Sequence, residues 1–519
     1  MGDIDYSSQG VCVRSLHVAV ALVFALLSLS HSLPAADPIL HINFDLNVGE
    51  TQTGQLPGGQ SIILKLVSVT EHVDGFNASI RSEAVQIQLN GVNYTIDAGP
   101  YRLPVTLGGF QVDVTVTSGM VARAAEDRWG LAKRARLRVW PAGSSWLAPG
   151  TFAHPLRQRW FAAYTQTSNE PGYEVNNITD PVYYHFGTDI GAAEGMFDVD
   201  AATSGTVVMA AGVFLSGYET PPGMRNPRPD VVTIMDGRNW FWRYSHLKDI
   251  VVSPGDVVQM GQKIALVGKE GPSGGWAHLH FDCTRMQPSG QWGIEDAYAF
   301  LWEGYRTEHS PQLIAVARPH QILRVGQQAT LDASRSWGSN LQFQWTFTDG
   351  GSATGAKVTR TYNTPGYFSE IVKVTDGSGN VDYDFAGVLV MPSASPIPWI
   401  GAAYAPTWGI KPGDPVTFKV RTFLSDGSAG NADTQGGETW DFGDGTPPVF
   451  VQSDGNVDPN APNGFAVTTH SFAHPGHYLV KAVHTRSDGL RSTTRLHVIV
   501  EGTPVPPPPP AGATVFLPS

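Results

Sequence analysis

Short runs in which apolar and polar residues alternate recur along the chain, which is the pattern of half-buried β-strands. In ILHINFDLNV, the apolar residues from Leu40 to Val48 fall at every second position. VQIQL and VNYTI (85–96) are two further runs joined by Asn90-Gly91, which is a strong signal for a tight hairpin. We therefore predict a mainly β chain in which short strands follow one another through tight turns.

The segment 230–247 predicts a second hairpin, with Asp236-Gly237 in its turn. Four residues of its second strand are predicted to share one face: Trp240, Trp242, Tyr244 and His246. Residues 251–268 predict two more short strands. Residues 211–230 are predicted to form a long loop, and loops of that length in compact domains are often functional.

Two similar stretches near the C-terminus indicate an internal repeat. QFQWTFTDGG (342–351) resembles ETWDFGDGT (438–446), and a Pro-Gly-aromatic turn in one copy matches Pro-Gly-His-Tyr in the other. Self-similarity at this scale predicts a tandem pair of small β modules. Trp345 and Trp440 are predicted to be their core anchors. The final GTPVPPPPPAGA predicts a stiff spacer or a disordered end.

Length and charge limit the kinds of function. A chain of 519 residues exceeds one hydrophobic core, so several domains are expected. The abundance of 57 glycines and 38 prolines favours strands joined by turns over helices. A net charge of -12 argues against nucleic acid or an anionic membrane surface as the main partner.

The N-terminus predicts a Sec-type signal peptide. Arg14 precedes the apolar run VAVALVFALLSL (18–29), and small residues follow it. That run is short for a membrane span, although a signal-anchor is the alternative reading. Cleavage near Ala36 would remove Cys12 and leave Cys283 as the only cysteine, hence no internal disulfide. A secreted, periplasmic or cell-surface protein without a membrane span is expected.

Residues of metal-ligand type concentrate in two motifs. In YYHFGTDIGA, His185 and Asp189 are four positions apart, and Gly187 between them allows the backbone to bend. In WAHLHFDC, strand alternation places one set of side chains on one face, namely His278, His280 and Asp282, and the other set in the core, namely Leu279, Phe281 and Cys283. A zinc site with an open position needs three protein ligands. His185, Asp189 and one histidine of the HxH pair would supply them.

Taken separately, these residues also have plain structural interpretations. His185 with Asp189 could be a surface hydrogen bond, and His246 a half-buried structural histidine. Cys283 is predicted to be a packing residue rather than a ligand. His154 and the histidines at 474–485 have no partner pattern, so we predict structural roles for them.

Four strings in order, HFGTDI, YSHL, PGDVVQMGQKIALVG and GPSGGWAHLHFD, resemble the lysostaphin-type zinc metallopeptidases. These are the β-lytic and glycyl-glycine endopeptidases that cut peptides of bacterial cell walls. The resemblance covers about 150–300 and implies an antiparallel β-sheet peptidase domain. It also implies that one Zn²⁺ is bound by His185, Asp189 and His280, and that the catalytic imidazoles are His246 and His278.

Two features depart from the pattern of that family, which usually reads G-x-S-x-G-P-H-L-H-F-E. Here the loop has an extra residue, and Asp282 stands in place of the glutamate. We predict that Trp276 reshapes the groove beside the metal, and that Trp276 and Asp282 contribute to specificity.

The repeats resemble PKD domains, which are seven-stranded β-sandwiches; WDFGDG is intact in the second copy and degenerate as WTFTDG in the first. The predicted organisation is a signal peptide (1–36), an N-terminal β domain that is possibly a propeptide (37–145), a peptidase domain (146–308), two PKD-like sandwiches (309–395 and 396–502) and a proline-rich tail (503–519).

These features predict a zinc metalloendopeptidase whose substrate is peptidoglycan or a glycine-rich peptide, with PKD-like modules that bind a surface polymer or protein. One alternative is a non-catalytic surface-binding scaffold of the same fold. Another is an adhesin in which the metal only stabilises the structure; a closed structural site would need four protein ligands.

Overall fold

The computed structural model describes residues 37–76, 78–163, 166–168, 182–218, 227–392, 397–424, 437–453 and 464–502. The predicted signal peptide, the proline-rich tail and residues 219–226 of the predicted long loop lie outside the described residues. Among the residues that are described, no helix is long and apolar enough to cross a membrane.

The N-terminal region is built from two four-stranded antiparallel sheets, in the orders β1-β8-β7-β6 and β2-β3-β4-β5. Its elements are β1 (Ile42–Leu46), β2 (Thr51–Gln55), β3 (Ser61–Val73), β4 (Ile80–Leu89), β5 (Val92–Ala98), β6 (Val105–Leu107), β7 (Phe110–Thr117), α1 (Ser118–Arg123) and β8 (Ala135–Pro141). The hairpin predicted at Asn90-Gly91 joins β4 to β5, and both turn residues have positive φ, 47° and 89°. Apolar side chains of both sheets form the core of this region.

Strand β1 differs from the prediction of a half-buried strand. Phe44 and Leu46 enter the core of the N-terminal region as predicted. The opposite face, with His41, Asn43 and Asp45, is also buried. These polar side chains reach ionic and amide partners, including Glu295 of the central region, so the second face is buried without being apolar.

The central region has a nine-stranded sheet with the main order β13-β12-β14-β15-β19-β10-β9, a three-stranded sheet in the order β11-β18-β16, and one helix. Its elements are β9 (Gln166–Ser168), β10 (Thr188–Gly191), β11 (Asp198–Asp200), β12 (Gly205–Ala210), β13 (Val213–Phe214), β14 (Val232–Asp236), β15 (Phe241–Ser245), β16 (Leu247–Lys248), β17 (Val257–Val258), β18 (Lys263–Val267), β19 (His278–Met286), β20 (Trp292–Glu295) and α2 (Tyr298–His309). Apolar side chains from both sheets and from α2 form one core.

Each C-terminal repeat has seven strands among its described residues, as the resemblance to PKD domains implies. The first module contains β21 (Gln321–Arg324), β22 (Gln328–Asp332), β23 (Gln342–Thr346), β24 (Ser352–Thr354), β25 (Lys357–Thr361), β26 (Gly366–Thr375) and β27 (Val381–Met391). The second module contains β28 (Pro398–Ala405), β29 (Val416–Leu424), β30 (Gly437–Asp441), β31 (Val449–Val451), β32 (Ala466–His470), β33 (Gly476–Thr485) and β34 (Arg491–Val500).

The two modules share one sheet. Strand β26 of the first module lies parallel to β34 of the second, with Tyr367 opposite Ser492, and this pairing makes a nine-stranded sheet. Trp345 and Trp440 are fully buried in their modules, which confirms their prediction as core anchors. The two modules therefore lie side by side and share a continuous sheet, rather than being connected by a linker alone.

Candidate active site

Strand β19 carries both histidines of the HxH pair and is paired on both sides. It lies between β10 and β15, so that Asp189 and Ser245 are opposite His280. Residues directly opposite in an antiparallel pair project to the same face. Asp189, His278 and His280 therefore face one side of the sheet, as alternation predicted. Leu279, Phe281 and Cys283 are fully buried on the other side, and Cys283 is a free packing residue as predicted.

Gly187 brings His185 to the same place as Asp189. The glycine has φ of +130°, a conformation that L side chains rarely adopt. A Cβ atom there would lie 2.7 Å from the carbonyl oxygen of Phe281 on β19. The backbone therefore bends tightly against β19, and the bend turns His185 towards His280.

Three ligand-type atoms converge at this point: Nε2 of His185, Oδ1 of Asp189 and Nδ1 of His280. The first is 2.8 Å from the third, and Oδ1 lies 2.9 Å and 3.0 Å from the two nitrogens. Two imidazoles and one carboxylate match the donor set of a three-ligand zinc site. The residues present thus fit a divalent metal.

Asp282 orients one of these imidazoles. Its Oδ2 lies 3.2 Å from Nε2 of His280, so the carboxylate accepts a hydrogen bond from that nitrogen and leaves Nδ1 free as a donor atom to a metal. Asp282 is only 3% exposed, and Arg243 lies 3.8 Å from it. We predicted a role in specificity; the structure instead places Asp282 behind a candidate ligand.

The segment with His185 is also held by the N-terminal region. The hydroxyl of Tyr184 accepts a 2.7 Å hydrogen bond from the backbone N–H of Ile80. The backbone of Val182 donates to the carbonyl of Arg123, the last residue of α1, and accepts from the N–H of Ala125. The guanidinium of Arg128 lies 4.7 Å from the ring centre of Phe186. The N-terminal region thus supports the loop on which one candidate ligand lies.

His246 does not lie where alternation placed it. Trp240, Trp242 and Tyr244 face the core as predicted. His246 follows the end of β15 with φ of +65°, which is unusual for a bulky residue. Its ring centre lies 4.6 Å from that of His278 and 6.0 Å from that of His280. The left-handed backbone therefore turns His246 out of the core and towards the candidate ligands, which period-two reasoning cannot predict.

The two remaining imidazoles are held in the same way. Nδ1 of His246 donates to the carbonyl of Glu270, and Nδ1 of His278 donates to the carbonyl of Trp276, both at 2.8 Å. In the neutral rings Nε2 is then the nitrogen available for chemistry. Nε2 of His278 lies 3.5 Å from Oδ1 of Asp189, beside the three converging atoms.

The match to a sequence family agrees with this geometry. Residues 183–290 match peptidase family M23. Residues 309–388 and residues 401–500 each match a PKD domain. The M23 match contains all five predicted site residues. The central region is an M23 peptidase domain. The two C-terminal modules are PKD domains.

Solved structures with related segments have low overall similarity. A candidate lytM glycyl-glycine endopeptidase from Ruminococcus gnavus is 19% identical, with a TM-score of 0.21 over 30% of this chain and 61% of that chain. Lysostaphin from Staphylococcus simulans is 18% identical, with a TM-score of 0.22 over 45% of this chain and 92% of that chain. A candidate M23 peptidase from Pseudomonas aeruginosa is 14% identical, with a TM-score of 0.21 over 51% of this chain and 89% of that chain. This chain thus spans less than two thirds of the R. gnavus protein. None of these likenesses supports a statement about the activity of the present chain.

The electrostatics of the M23 domain favour a cation between Asp189 and His280. Burial opposes ionisation of Asp189, but the neighbouring His185 and His278 outweigh it and hold the pKa of its carboxyl well below its usual value. Burial also acts to lower the pKa of His280, yet its hydrogen bonds to Asp189 and Asp282 raise it overall. The two shifts are the two sides of one interaction: the imidazoles stabilise the Asp189 carboxylate, and the carboxylates of Asp189 and Asp282 stabilise positive charge on His280.

The two imidazoles beside this cluster, those of His278 and His246, have lowered pKa values, in contrast to His280. Burial lowers the pKa of His278 to about 3, and Asp189 offsets only part of that effect. Burial also lowers the pKa of His246, against the hydrogen bond with Asp230. Burial therefore favours the neutral form of both rings.

Asp230 is a residue of the site that the sequence did not reveal. Its Oδ2 accepts a 3.1 Å hydrogen bond from the backbone N–H of His246 and lies 3.5 Å from Nδ1 of that ring. Arg228 donates a 2.9 Å hydrogen bond to its other oxygen. The only sequence signal was its place at the end of the predicted long loop, which we considered as functional without naming a residue.

Two of the histidines predicted to be structural, His154 and His484, are buried. His154 is buried, its Nδ1 bonds to the carbonyl of Leu156 at 2.8 Å, and burial lowers its pKa to about 4. His484 is buried in the second module. Trp276, which was predicted to shape the groove, packs instead against Trp399 and Phe423 of the second module.

Proposed function

We propose that this protein is a secreted zinc metalloendopeptidase that hydrolyses peptide bonds of peptidoglycan, in stem peptides or glycine-rich cross-bridges. The observation that supports it most is the convergence of His185, Asp189 and His280 on one point, with His246 and His278 beside them, inside the segment that matches family M23. The cell-wall substrate and the secretion are inferred from the resemblance and from the predicted signal peptide.

His185, Asp189 and His280 would hold the metal through Nε2, Oδ1 and Nδ1. A Zn²⁺ ion bound there supplies Lewis acidity towards the scissile carbonyl and lowers the pKa of water. Asp282 keeps the ring of His280 in the tautomer that presents Nδ1. Three protein ligands are the number typical of a catalytic zinc site, whereas a structural site usually has four.

The hydrogen bonds of the two other imidazoles favour different roles. Nε2 of His278 is unprotonated in the neutral ring and adjoins Asp189, so His278 is placed to accept the proton of the attacking water. His246 has the Asp230 carboxylate behind Nδ1, which stabilises a positive imidazolium. In its protonated form, after taking up a proton from solvent, His246 would donate from Nε2 to the developing oxyanion. The proton that His278 accepts at Nε2 would pass to the leaving amine.

The test is a comparison of four proteins for zinc content and for cleavage of purified peptidoglycan and a pentaglycine peptide. These are wild type, His280→Ala, His246→Ala and, as a matched control, His72→Ala, whose histidine is exposed in the N-terminal region. We expect His280→Ala to lose zinc and activity. We expect His246→Ala to retain zinc and to lose about 10²–10⁴-fold in rate, and His72→Ala to behave as wild type.

Two results would contradict the proposal. Normal cleavage by His246→Ala would refute the assignment of that imidazole. A wild-type protein that binds zinc but cleaves neither substrate would favour the alternative of a surface-binding scaffold, in which the PKD modules hold a polymer or protein and the M23 domain is not catalytic.

A further inference from the structure

One loop holds both proposed catalytic imidazoles. Residues 268–277, here called the histidine loop, connect β18 to β19 and contain the two carbonyls that receive Nδ1 of His246 and His278, those of Glu270 and Trp276. The loop has no helix or strand of its own. The direction of both rings therefore depends on what fixes the backbone of this loop.

The second module contacts the C-terminal end of the histidine loop through aromatic side chains. The ring centre of Trp276 lies 3.6 Å from that of Phe423 on β29 and 4.2 Å from that of Trp399 on β28. Gly401 lies beneath the same ring, because a Cβ atom there would be 2.2 Å from Cζ3 of Trp276. The absence of a side chain at position 401 thus lets the indole lie against the sheet of the second module.

The start of the loop has a second, ionic attachment. Nζ of Lys269 donates to Oε1 of Glu194 at 2.9 Å, and both side chains are buried. Nζ of Lys419, on β29 of the second module, donates to the backbone carbonyl of Glu194 at 2.7 Å. The second module therefore contacts the loop directly at one end and through Glu194 at the other.

We propose that the second PKD domain is part of the catalytic unit and positions His246 and His278 by clamping the histidine loop. This inference deepens the proposed function and rests on it for its catalytic consequence. Phe423, Trp399 and Lys419 are positioning residues that act through the carbonyls of Glu270 and Trp276. Small displacements of catalytic groups have large effects on rate, so loss of the clamp should reduce kcat.

The experiment compares full-length wild type with Phe423→Ala, Trp276→Ala and the control Phe450→Ala. Phe450 is an aromatic residue of the same module, on β31, and is 66% exposed. Hydrogen exchange read by mass spectrometry on peptides covering 268–277 reports the loop without reference to activity. Zinc content, kcat and KM are measured on the same samples.

For Phe423→Ala and Trp276→Ala, we expect faster exchange in the histidine loop, unchanged zinc content, kcat reduced about 10- to 100-fold and KM within about 2-fold. Phe450→Ala should match wild type. Phe423→Leu, which restores apolar contact with the indole, should recover part of the loop protection and of kcat.

Unchanged exchange and unchanged kcat in Trp276→Ala would overturn the proposal even if Phe423→Ala fails to fold. An equal loss in Phe450→Ala would also overturn it, since the effect would then be general to the module. A wild-type protein without activity would refute the proposed function, whereas the exchange measurement would still decide whether the second module clamps the loop.

Discussion

At the scale of single residues, the candidate site depends on side chains that orient other side chains. Asp282 is a buried example: its carboxylate holds Nε2 of His280 at 3.2 Å, on the far side of the ring from the converging donor atoms. Because a carboxylate partner increases the basicity of a ligating imidazole, the contact affects metal affinity without touching the metal.

Replacement Asp282→Asn should therefore weaken zinc binding by about 10- to 100-fold, because the amide accepts a weaker hydrogen bond from His280. Competition with a chromophoric chelator measures the change. The control is Asp282→Glu, which restores a carboxylate of the type usual in the lysostaphin-type pattern and should bind zinc more tightly than the asparagine variant. Wild-type affinity in Asp282→Asn would contradict this role.

How far the sequence predicted the site follows from two neighbouring cases. Alternation along β19 placed His280 and Cys283 on their correct faces, because an extended strand with both neighbours paired has a fixed side-chain period. The same reasoning was wrong for His246, because a single residue with positive φ reverses the direction of its side chain. Asp230 was missed because its contact with His246 joins positions 16 apart across a turn.

At the scale of elements, strand β4 of the N-terminal region contains a buried carboxyl. Glu83 is 5% exposed, and Thr117 donates a 3.0 Å hydrogen bond to it. Burial raises the pKa of Glu83 from 4.5 to about 7, and the bond with Thr117 offsets only part of this. The carboxyl thus stays protonated in the folded protein at pH values where the unfolded chain ionises it.

The stability that this proton provides is fully present below about pH 4.5 and is lost as the pH rises through about 7. Glu83→Gln, which cannot ionise, should resemble wild type at pH 5 and be more stable than wild type at pH 8.5, by roughly 3 kcal/mol at most. Thermal unfolding at both pH values measures it. Asp97→Asn, an exposed change on β5, is the control. An equal difference between Glu83→Gln and wild type at both pH values would refute the pKa assignment.

At the scale of the whole molecule, the N-terminal region and the M23 domain share buried charges. Arg138 on β8 donates to Asp113 within its own region at 2.6 Å and to Glu295 on β20 at 3.1 Å. His41, which directly precedes β1, and Asn43 on β1 also bond to Glu295. The strand pattern predicted β1 but not this interface, since partners more than 150 positions apart leave no local signal.

The possibility that residues 37–145 are a removable propeptide stays a prediction. The shared network bears on it, because removal would take Arg138 and His41 away from the buried Glu295 and leave it with Arg285, 3.9 Å away in the M23 domain. Around the predicted boundary at residue 145, Trp140, Trp146 and Leu147 are buried, whereas residues 142–143 and 149–150 are exposed.

Arg138→Leu should destabilise the protein by about 3–5 kcal/mol, because it removes the guanidinium that bonds to two buried carboxylates, those of Asp113 and Glu295. The control is Arg157→Ala, whose side chain is 74% exposed and pairs with Asp200, with an expected cost within about 1 kcal/mol. Chemical denaturation of both variants provides the comparison. Similar losses in the two variants would show that the buried network does not hold the region in place.

The central claim is that the five residues around His280 form a zinc-dependent peptidase centre. Its most direct test is digestion of purified peptidoglycan by the wild-type protein, with mass spectrometry of the released fragments, before zinc is removed by chelation, after removal and after zinc is returned. We predict fragments that correspond to hydrolysis of peptide bonds, their loss with the metal and their return with it. Absence of such fragments from the zinc-loaded protein, or equal release without metal, would contradict the account.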